Sequence, residues 1–396
     1  METESIAVQA TEAASTGQMV FCKFLSSNDT GETGGHQAGI YVSKPALKIL
    51  FEEPGERGQN KDKRVTVKWQ NEFETSTRFS YYGRGTRNEY RITNFGGRDF
   101  PFLRPEYTGA LFILIKNMKD YYYGFILNAE EEINFFLDTF GLSPADTNRL
   151  IDTRGTVPQN AENDAINNFL SRLISDFPTS EEMSVAARNI QNMVFNNESM
   201  VFTNPDRKLI DWTEMEYQLF RAVEHKKYGA LITNGFKSVE EFIVLANQVL
   251  NRRKSRAGKS LEHHLAAIFD GNKIRYAAQA VTEENKKPDF LFPSQEAYHD
   301  RCFPDSRLIS LAAKTTCKDR WRQILNEADR LRGKAKYLCT LQQGISVAQM
   351  DEMQKEQVVL VVPEPYIQSY PETRRDRIWT VKKFIEYVKE TEKEAV

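Results

Sequence analysis

The sequence predicts two domains of different class. A β domain over residues 18–140 is followed by an α/β domain with a mixed sheet over residues 205–396, and an acidic helical hinge over residues 141–204 joins them. Three observations predict this. Short apolar runs separated by glycine- and asparagine-rich turns fill the first third. Helix-period segments alternate with short unbroken apolar runs after residue 205. Between them, residues 130–182 carry eleven acidic side chains against Arg149, Arg154 and Arg172.

Composition bounds the rest. A chain of 396 residues holds two domains of ordinary size, and 40 % apolar content supplies both cores. A net charge of −2 decides nothing about nucleic acid, so the distribution of charge has to. Cys22, Cys302, Cys317 and Cys339 lie far apart without CxxC spacing, which excludes a zinc frame and a secreted disulfide frame. No apolar run reaches membrane-spanning length, and Met-Glu-Thr-Glu-Ser lacks the order of a signal peptide. A reduced, cytoplasmic protein with no membrane partner is expected.

Residues 1–17, rich in Ala, Thr, Ser and Glu, predict a loose tail. A strand is predicted over residues 19–25. Residues 26–37 are turn chemistry with three glycines, a loop whose free N–H groups suit anions. It lacks the Gly-Lys-Ser/Thr ending of a P-loop, and a plain hairpin loop is the alternative. Strands follow over residues 38–42, 65–69, 79–82, 111–115 and 121–126, then a helix over 130–140. Arg78, Arg84, Arg87, Arg91 and Arg98, with Glu89 as the lone acid among them, interleave with Phe79, Tyr81, Tyr82, Tyr90 and Phe95. Bases mixed with aromatics suit phosphate contacts and base readout. A solvated sheet face, the alternative, would mix in more acids.

Residues 153–163 read as linker, residues 167–177 and 181–195 as weak helices, and residues 212–224 and 238–250 as stronger ones. Ser238 and Glu241 fit a capping box. Residues 251–259 carry five positive charges and no acid, and read as a basic loop. It feeds a helix over residues 260–269, so Arg252, Arg253, Lys254 and Arg256 would form a phosphate platform at a helix N-terminus. His263 and His264 point apart and are expected to be structural. Strands are predicted over residues 274–281, 288–292, 308–314 and 358–363, and helices over 318–331 and 381–389.

The chemistry gathers in one stretch. Asp289 opens the strand Asp-Phe-Leu-Phe, and Lys314 closes the strand Leu-Ile-Ser-Leu-Ala-Ala-Lys. If the two strands pair, a carboxylate meets an ammonium. Trp321, Ile324, Leu325, Ala328 and Leu331 recur at helical spacing and bring Glu327 within reach. Glu262 is a possible third acid. Such a set suits phosphodiester hydrolysis, in which Asp289 and Glu327 would hold Mg²⁺ and Lys314 would neutralise the developing phosphorane charge or orient the water. The more usual second acid, two residues before the lysine, is here Ala312. In isolation, an ion-paired edge of an ordinary sheet is the alternative.

Three segments, residues 251–262, 285–293 and 314–327, resemble the catalytic domain of EcoRII-type restriction endonucleases. Residues 27–37 and the run Thr86-Arg-Asn-Glu-Tyr-Arg-Ile-Thr93 resemble that family's N-terminal effector-binding domain. The likeness is close at both ends of the chain and thin between about 104 and 205. It implies a B3-like β pseudo-barrel followed by a PD-(D/E)xK nuclease domain. It also implies a type II enzyme, activated by effector DNA, that cuts double-stranded DNA before the outer C of a CCWGG- or CCNGG-like site. The family pattern assigns catalysis to Asp289, Lys314, Glu327 and Glu262 with Mg²⁺ as cofactor. It assigns base reading to Lys318, Asp319 and Arg320, which agrees with basic donors to guanine and an acid accepting from cytosine. Flipping of the central base is also implied. Tyr298 matches a family tyrosine, expected to be structural or positioning. The effector contacts implied are Asn28, Asp29, His36, Arg84, Arg87, Asn88, Glu89, Arg91 and Arg98, although Gly85 and Tyr90 stand where the effector motif has lysines. A palindromic site implies a homodimer, and the system implies a cognate DNA methyltransferase. The N-terminal domain is expected to cover the cleft until effector DNA binds it. The competing functions are a non-catalytic DNA-binding regulator and a mismatch-directed repair nuclease.

Overall fold

The computed structural model describes residues 5–32, 39–95, 100–151, 161–174 and 177–393. Its first domain is one eight-stranded sheet: β1 (Met19–Phe24), β2 (Ile40–Val42), β3 (Lys61–Trp69), β4 (Glu74–Tyr82), β5 (Glu89–Thr93), β6 (Leu111–Met118), β7 (Tyr121–Leu127) and β8 (Arg149–Ile151). The order is β2-β5-β4-β3-β7-β6-β1-β8, antiparallel except between β3 and β7. Its two edges come back together. Lys23 Nζ of β1 donates to the Tyr41 carbonyl of β2 at 3.0 Å, and the Ser43 amide donates to Asn148 Oδ1 at 3.3 Å. The nearly closed wall curls round an aromatic centre in which Trp69 meets Phe100 edge-on at 4.7 Å.

Strand β6 is buried on both faces, which explains its unbroken apolar run. Phe112 and Leu114 face the barrel, while Leu111, Ile113 and Ile115 face α1 (Ile6–Thr16) and α2 (Glu130–Phe140). The expectation of a loose tail is therefore corrected over α1. Ala7, Ala10 and Ala14 are buried, and alanine combines high helix propensity with the small size that close packing needs.

The stretch expected as a hinge holds helices α3 (Ala161–Arg172), α4 (Ser180–Phe195) and α5 (Met200–Thr203), and α6 (Pro205–Asn234) and α7 (Val239–Gly271) follow. A five-stranded sheet comes next: β9 (Ala277–Ala278), β10 (Phe290–Phe292), β11 (Ile309–Lys314), β12 (Lys336–Thr340) and β13 (Val358–Val361), with α8 (Gln295–His299), α9 (Val347–Lys355), α10 (Glu364–Ile367) and α11 (Val381–Lys393) between or after the strands. Strands β9-β10-β11 are antiparallel, and β11-β12-β13 are parallel. Helices α6, α7 and α11 pack on one face, and α9 with a 3-10 turn at Arg320–Asn326 on the other. The class is the mixed α/β sheet expected.

Four local expectations change. The helix, basic loop and helix read over residues 238–269 are one helix, α7. Arginine and lysine sustain a helix, and Ser238 caps its start by accepting from the Glu241 amide at 3.2 Å. The strand expected over residues 274–281 shrinks to β9, because Gln279 turns to φ +51°. The helix expected over residues 318–331 is two short 3-10 turns, since the 282–283 turn binds the chain beyond Asn326. Strand β12, at the middle of the sheet, has no counterpart among the strands the sequence predicts.

The two domains meet closely. The Gly109 and Gly344 backbones touch, both at positive φ (81° and 98°), and a Cβ on Gly109 would lie 2.2 Å from the Gly344 oxygen. Gln342 Nε2 donates to the Gly109 carbonyl at 3.0 Å, and Glu32 Oε1 accepts from the Val347 amide at 2.9 Å.

Candidate active site

Pairing of β10 with β11 brings the ends of the two strands together as the sequence implied. Asp289 Oδ2 accepts from the Ala313 amide at 2.8 Å and from Lys314 Nζ at 3.0 Å. Thr315 Oγ1 donates to the Ala257 carbonyl at 3.0 Å, which ties the end of β11 to α7 and so to Glu262. Gln279, which carried no signal in the sequence, joins the two acids. Its amide nitrogen donates to Glu262 Oε2 and to Asp289 Oδ1, each at 3.0 Å.

Glu327 stands beside this pair. The Thr282 hydroxyl holds its carbonyl at 2.6 Å. Burial pushes its carboxyl up to about 7, with Lys314 opposing the rise and Asp289 adding to it. Burial also raises Glu262, and the Asp289 carboxylate raises it further. Tyr298 is buried and donates to Glu283 at 2.6 Å, while Glu283 accepts from the Asp329 amide at 3.1 Å. Tyr298 therefore braces the segment that carries Glu327.

Asp289 and Glu262 converge on one donor nitrogen, an arrangement of oxygens that also suits a cation. Among the described residues, no group of three or more His, Cys, Asp or Glu side chains is close enough to enclose a metal. Two carboxylates plus waters fit Mg²⁺, which dehydrates reluctantly and seldom sits in an all-protein cage.

The Lys318-Asp319-Arg320 triplet is engaged by the other domain. Glu130, the first residue of α2, accepts from the Asp319 amide at 2.7 Å, the Arg320 amide at 2.9 Å and Arg320 Nε at 2.7 Å. In return the Glu130 amide donates to Asp319 Oδ2 at 2.9 Å, and Lys318 Nζ donates to Asn128. Burial pushes the Glu130 carboxyl up, but the Asp319 and Arg320 donors outweigh it and hold it below its ordinary value. Burial pulls the Lys318 ammonium down to about 8. At the other end of α2, Arg253 Nη1 donates to the carbonyls of Asp138 at 3.2 Å and Thr139 at 2.6 Å. Side chains of the second domain thus satisfy both ends of this helix.

The basic stretch is not a phosphate platform of the kind expected, because α7 has no N-terminus there. Arg253 also bonds Glu224, with its Nε 2.9 Å from Oε1. Arg252 stacks on Phe177 at 4.2 Å, and Arg256 lies buried between Tyr217 at 3.7 Å and Phe220 at 4.3 Å. Lys254 is exposed. In the barrel, Asp29 is corrected to a structural role: it is buried, pairs with Lys23 at 2.7 Å and accepts from the Tyr41 amide at 3.0 Å. Asn88 accepts from the Tyr81 hydroxyl at 3.1 Å, and Arg91 pairs with Glu89 at 3.3 Å. Asn28, Arg84 and Arg87 are exposed, while His36 and Arg98 lie outside the described residues.

Residues 14–133 match the family described as restriction endonuclease EcoRII, N-terminal, and residues 220–385 match EcoRII C terminal. The chain is 38 % identical, over 408 aligned residues, to the type II restriction enzyme EcoRII of Escherichia coli, covering 94 % of this chain and 95 % of that enzyme. Two solved structures are similar at 18 % identity. Metal-depleted Ecl18kI in complex with uncleaved DNA covers 59 % of this chain and 84 % of its own, with a TM-score of 0.46. A PspGI–substrate DNA complex covers 55 % and 94 %, with a TM-score of 0.45.

Proposed function

The chain belongs to the EcoRII family of type II restriction enzymes, and from that premise we propose that it is an Mg²⁺-dependent endonuclease switched on by effector DNA. It is a sequence-specific restriction endonuclease. The observation that carries the catalytic assignment is the 3.0 Å contact between Asp289 and Lys314 at adjacent strand ends, with Glu262 joined to it through Gln279.

Asp289 would hold the metal, with Glu262 and Glu327 completing the acidic set. Mg²⁺ would supply Lewis acidity and an activated water. Lys314 would stabilise charge that develops on the phosphate. Lys318, Asp319 and Arg320 would read C·G pairs of a CCWGG- or CCNGG-like target cut before the outer C. Glu130 meets these donors before DNA does, which supports a resting state in which α2 holds the reading residues. Effector DNA bound across Arg84 and Arg87 would release it. A palindromic target supports a homodimer, because each chain carries one catalytic set. A cognate DNA methyltransferase would be the functional partner and the cytoplasm the setting. No helix among the described residues is long and apolar enough to cross a membrane.

The test is cleavage of a plasmid library with and without Mg²⁺, with the cut ends sequenced. Random ends, or specific binding without cleavage, would overturn the reading, and the second result would favour the non-catalytic regulator. Single-turnover cleavage of a one-site plasmid, with and without added cognate duplex, tests the effector: stimulation is expected.

A further inference from the structure

Glu327 owes its place to contacts rather than to a long helix. It follows the 3-10 turn Arg320–Asn326, and the next turn, Asp329–Leu331, is three residues long. Hydrogen bonds in such turns are poorer than in an α-helix, so the segment needs support from outside. One turn supplies it, residues 282–286, on the loop between β9 and β10. The Thr282 hydroxyl donates to the Glu327 carbonyl at 2.6 Å. Glu283 Oε2 accepts from the Asp329 amide at 3.1 Å and from the Tyr298 hydroxyl at 2.6 Å, and the Tyr298 oxygen accepts from the Arg330 amide at 3.2 Å. Lys286 Nζ lies 3.3 Å from Asp329 Oδ2. Residues 327, 329 and 330 are thus all bonded to this turn or to the tyrosine it anchors.

The turn is itself strained. Glu284 and Asn285 both sit at positive φ, 56° and 61°, a region that residues with a Cβ rarely adopt. It closes where the Thr282 amide donates to the Lys286 carbonyl at 2.8 Å. A conformation of this kind persists where its surroundings over-determine it, and it clusters at functional sites. The same loop serves the other two acids. Gln279, at its start, donates to Glu262 and to Asp289, and Asp289 stands at its end. One hairpin, residues 279–289, therefore orders all three acid-bearing segments. We propose that this hairpin is the frame of the candidate metal site, and that Thr282 and Glu283 are positioning residues that hold Glu327 where it can share a divalent cation with Asp289. Both act through the Glu327 segment and touch neither cation nor DNA. The role rests on the reading of Glu327 as a metal-holding acid.

Mn²⁺ is the probe, titrated into the DNA-free full chain and followed by the paramagnetic resonance signal of the free ion. The Mg²⁺ dependence of single-turnover cleavage is the second readout. Thr282 is buried, and Thr282→Val keeps its shape while losing the donor. Glu283→Ala loses the acceptor, whereas Glu283→Gln keeps one oxygen for the Asp329 amide. Thr282→Val and Glu283→Ala should each weaken Mn²⁺ binding, and raise the Mg²⁺ needed for half-maximal cleavage, roughly tenfold. The rate at saturating Mg²⁺ and the affinity for DNA should stay within about twofold of wild type, and Glu283→Gln should stay there in every measure. A side chain that only stabilised the fold would lower Tm and leave the metal dependence where it is. Wild-type Mn²⁺ binding by Thr282→Val and Glu283→Ala, or a Glu283→Gln as weak as Glu283→Ala, overturns the proposal; if Glu283→Ala does not fold, Thr282→Val decides. Glu327→Ala separates the two readings. If it binds Mn²⁺ and cleaves as the wild type does, the assignment of Glu327 fails and the positioning role goes with it. If it is impaired and the hairpin variants are not, the positioning role alone fails.

Discussion

Asp289 accepts from Lys314 and from the Ala313 amide with one oxygen, so replacing either side chain strips the site of charge without cutting into a core. Asp289→Ala and Lys314→Ala should abolish cleavage by several kcal/mol of barrier and leave specific DNA binding in place. Single-turnover cleavage beside gel-shift titration checks this, and full cleavage by Asp289→Ala at saturating Mg²⁺ would sink the assignment. Gln279 makes a different demand. Its amide holds two like charges together, so Gln279→Ala should lower the Tm of the metal-free protein by about 2–4 °C, for roughly 1 kcal/mol. Saturating Mg²⁺ should shrink that difference, because Asp289 and Glu262 would hold the cation in place of the amide; an equal loss with and without metal would refute the idea. Asp289 and Lys314 are legible in the sequence because charge at the end of an apolar strand is rare. Gln279 is not, because a lone glutamine has no signature. The roles of Arg253 and Arg256 are hidden because their partners, Glu224, Tyr217 and Phe220, lie some thirty to forty residues away on another helix.

At the scale of the element, α2 is the piece whose ends belong to the other domain. Asp319 satisfies its first amide, and Arg253 its last carbonyls. Glu130→Ala removes three acceptor contacts from Asp319 and Arg320 and, if α2 restrains the nuclease as proposed, should raise single-site cleavage by the full chain at least tenfold, or about 1.4 kcal/mol. If the variant keeps the wild-type rate, α2 does not restrain the nuclease. Lys318 adds a pH dependence. Its ammonium lies near 8 when docked, below the ordinary value of 10.5. Between those values the docked state binds fewer protons, so docking strengthens as pH rises above about 8 and gains nothing from this group below it. Energy transfer between labels on the two domains should rise from pH 7.5 to 9 in the wild type and stay flat in Lys318→Met. The strands of the barrel and β10, β11 and β13 are legible from alternation and apolar runs. Strand β12 is not, because Lys-Tyr-Leu-Cys-Thr begins on a charge that local period cannot place inside. Helix α7 reads as two pieces because a dense run of positive charge resembles a loop, although those residues sustain helix.

For the whole molecule, the domain classes emerge from pattern, but the way the domains close on each other does not, since a contact between distant loops leaves no periodic trace. At the Gly109–Gly344 contact both residues sit at positive φ, where glycine is at home, and their backbones leave no room for a single carbon. Gly109→Ala would therefore act as a wedge, levering the loops apart by volume alone. Rates for this variant should rise on one-site DNA and, unlike those of Glu130→Ala, keep the same ratio to wild type from low to high salt, because no charge has changed. A ratio that collapses at high salt would mean the hinge is electrostatic throughout. Were both outcomes seen, the proposed restraint would have two independent handles, one turned by ions and one by shape, and a lineage could retune it with one methyl group without touching Asp289, Lys314 or the 318–320 triplet.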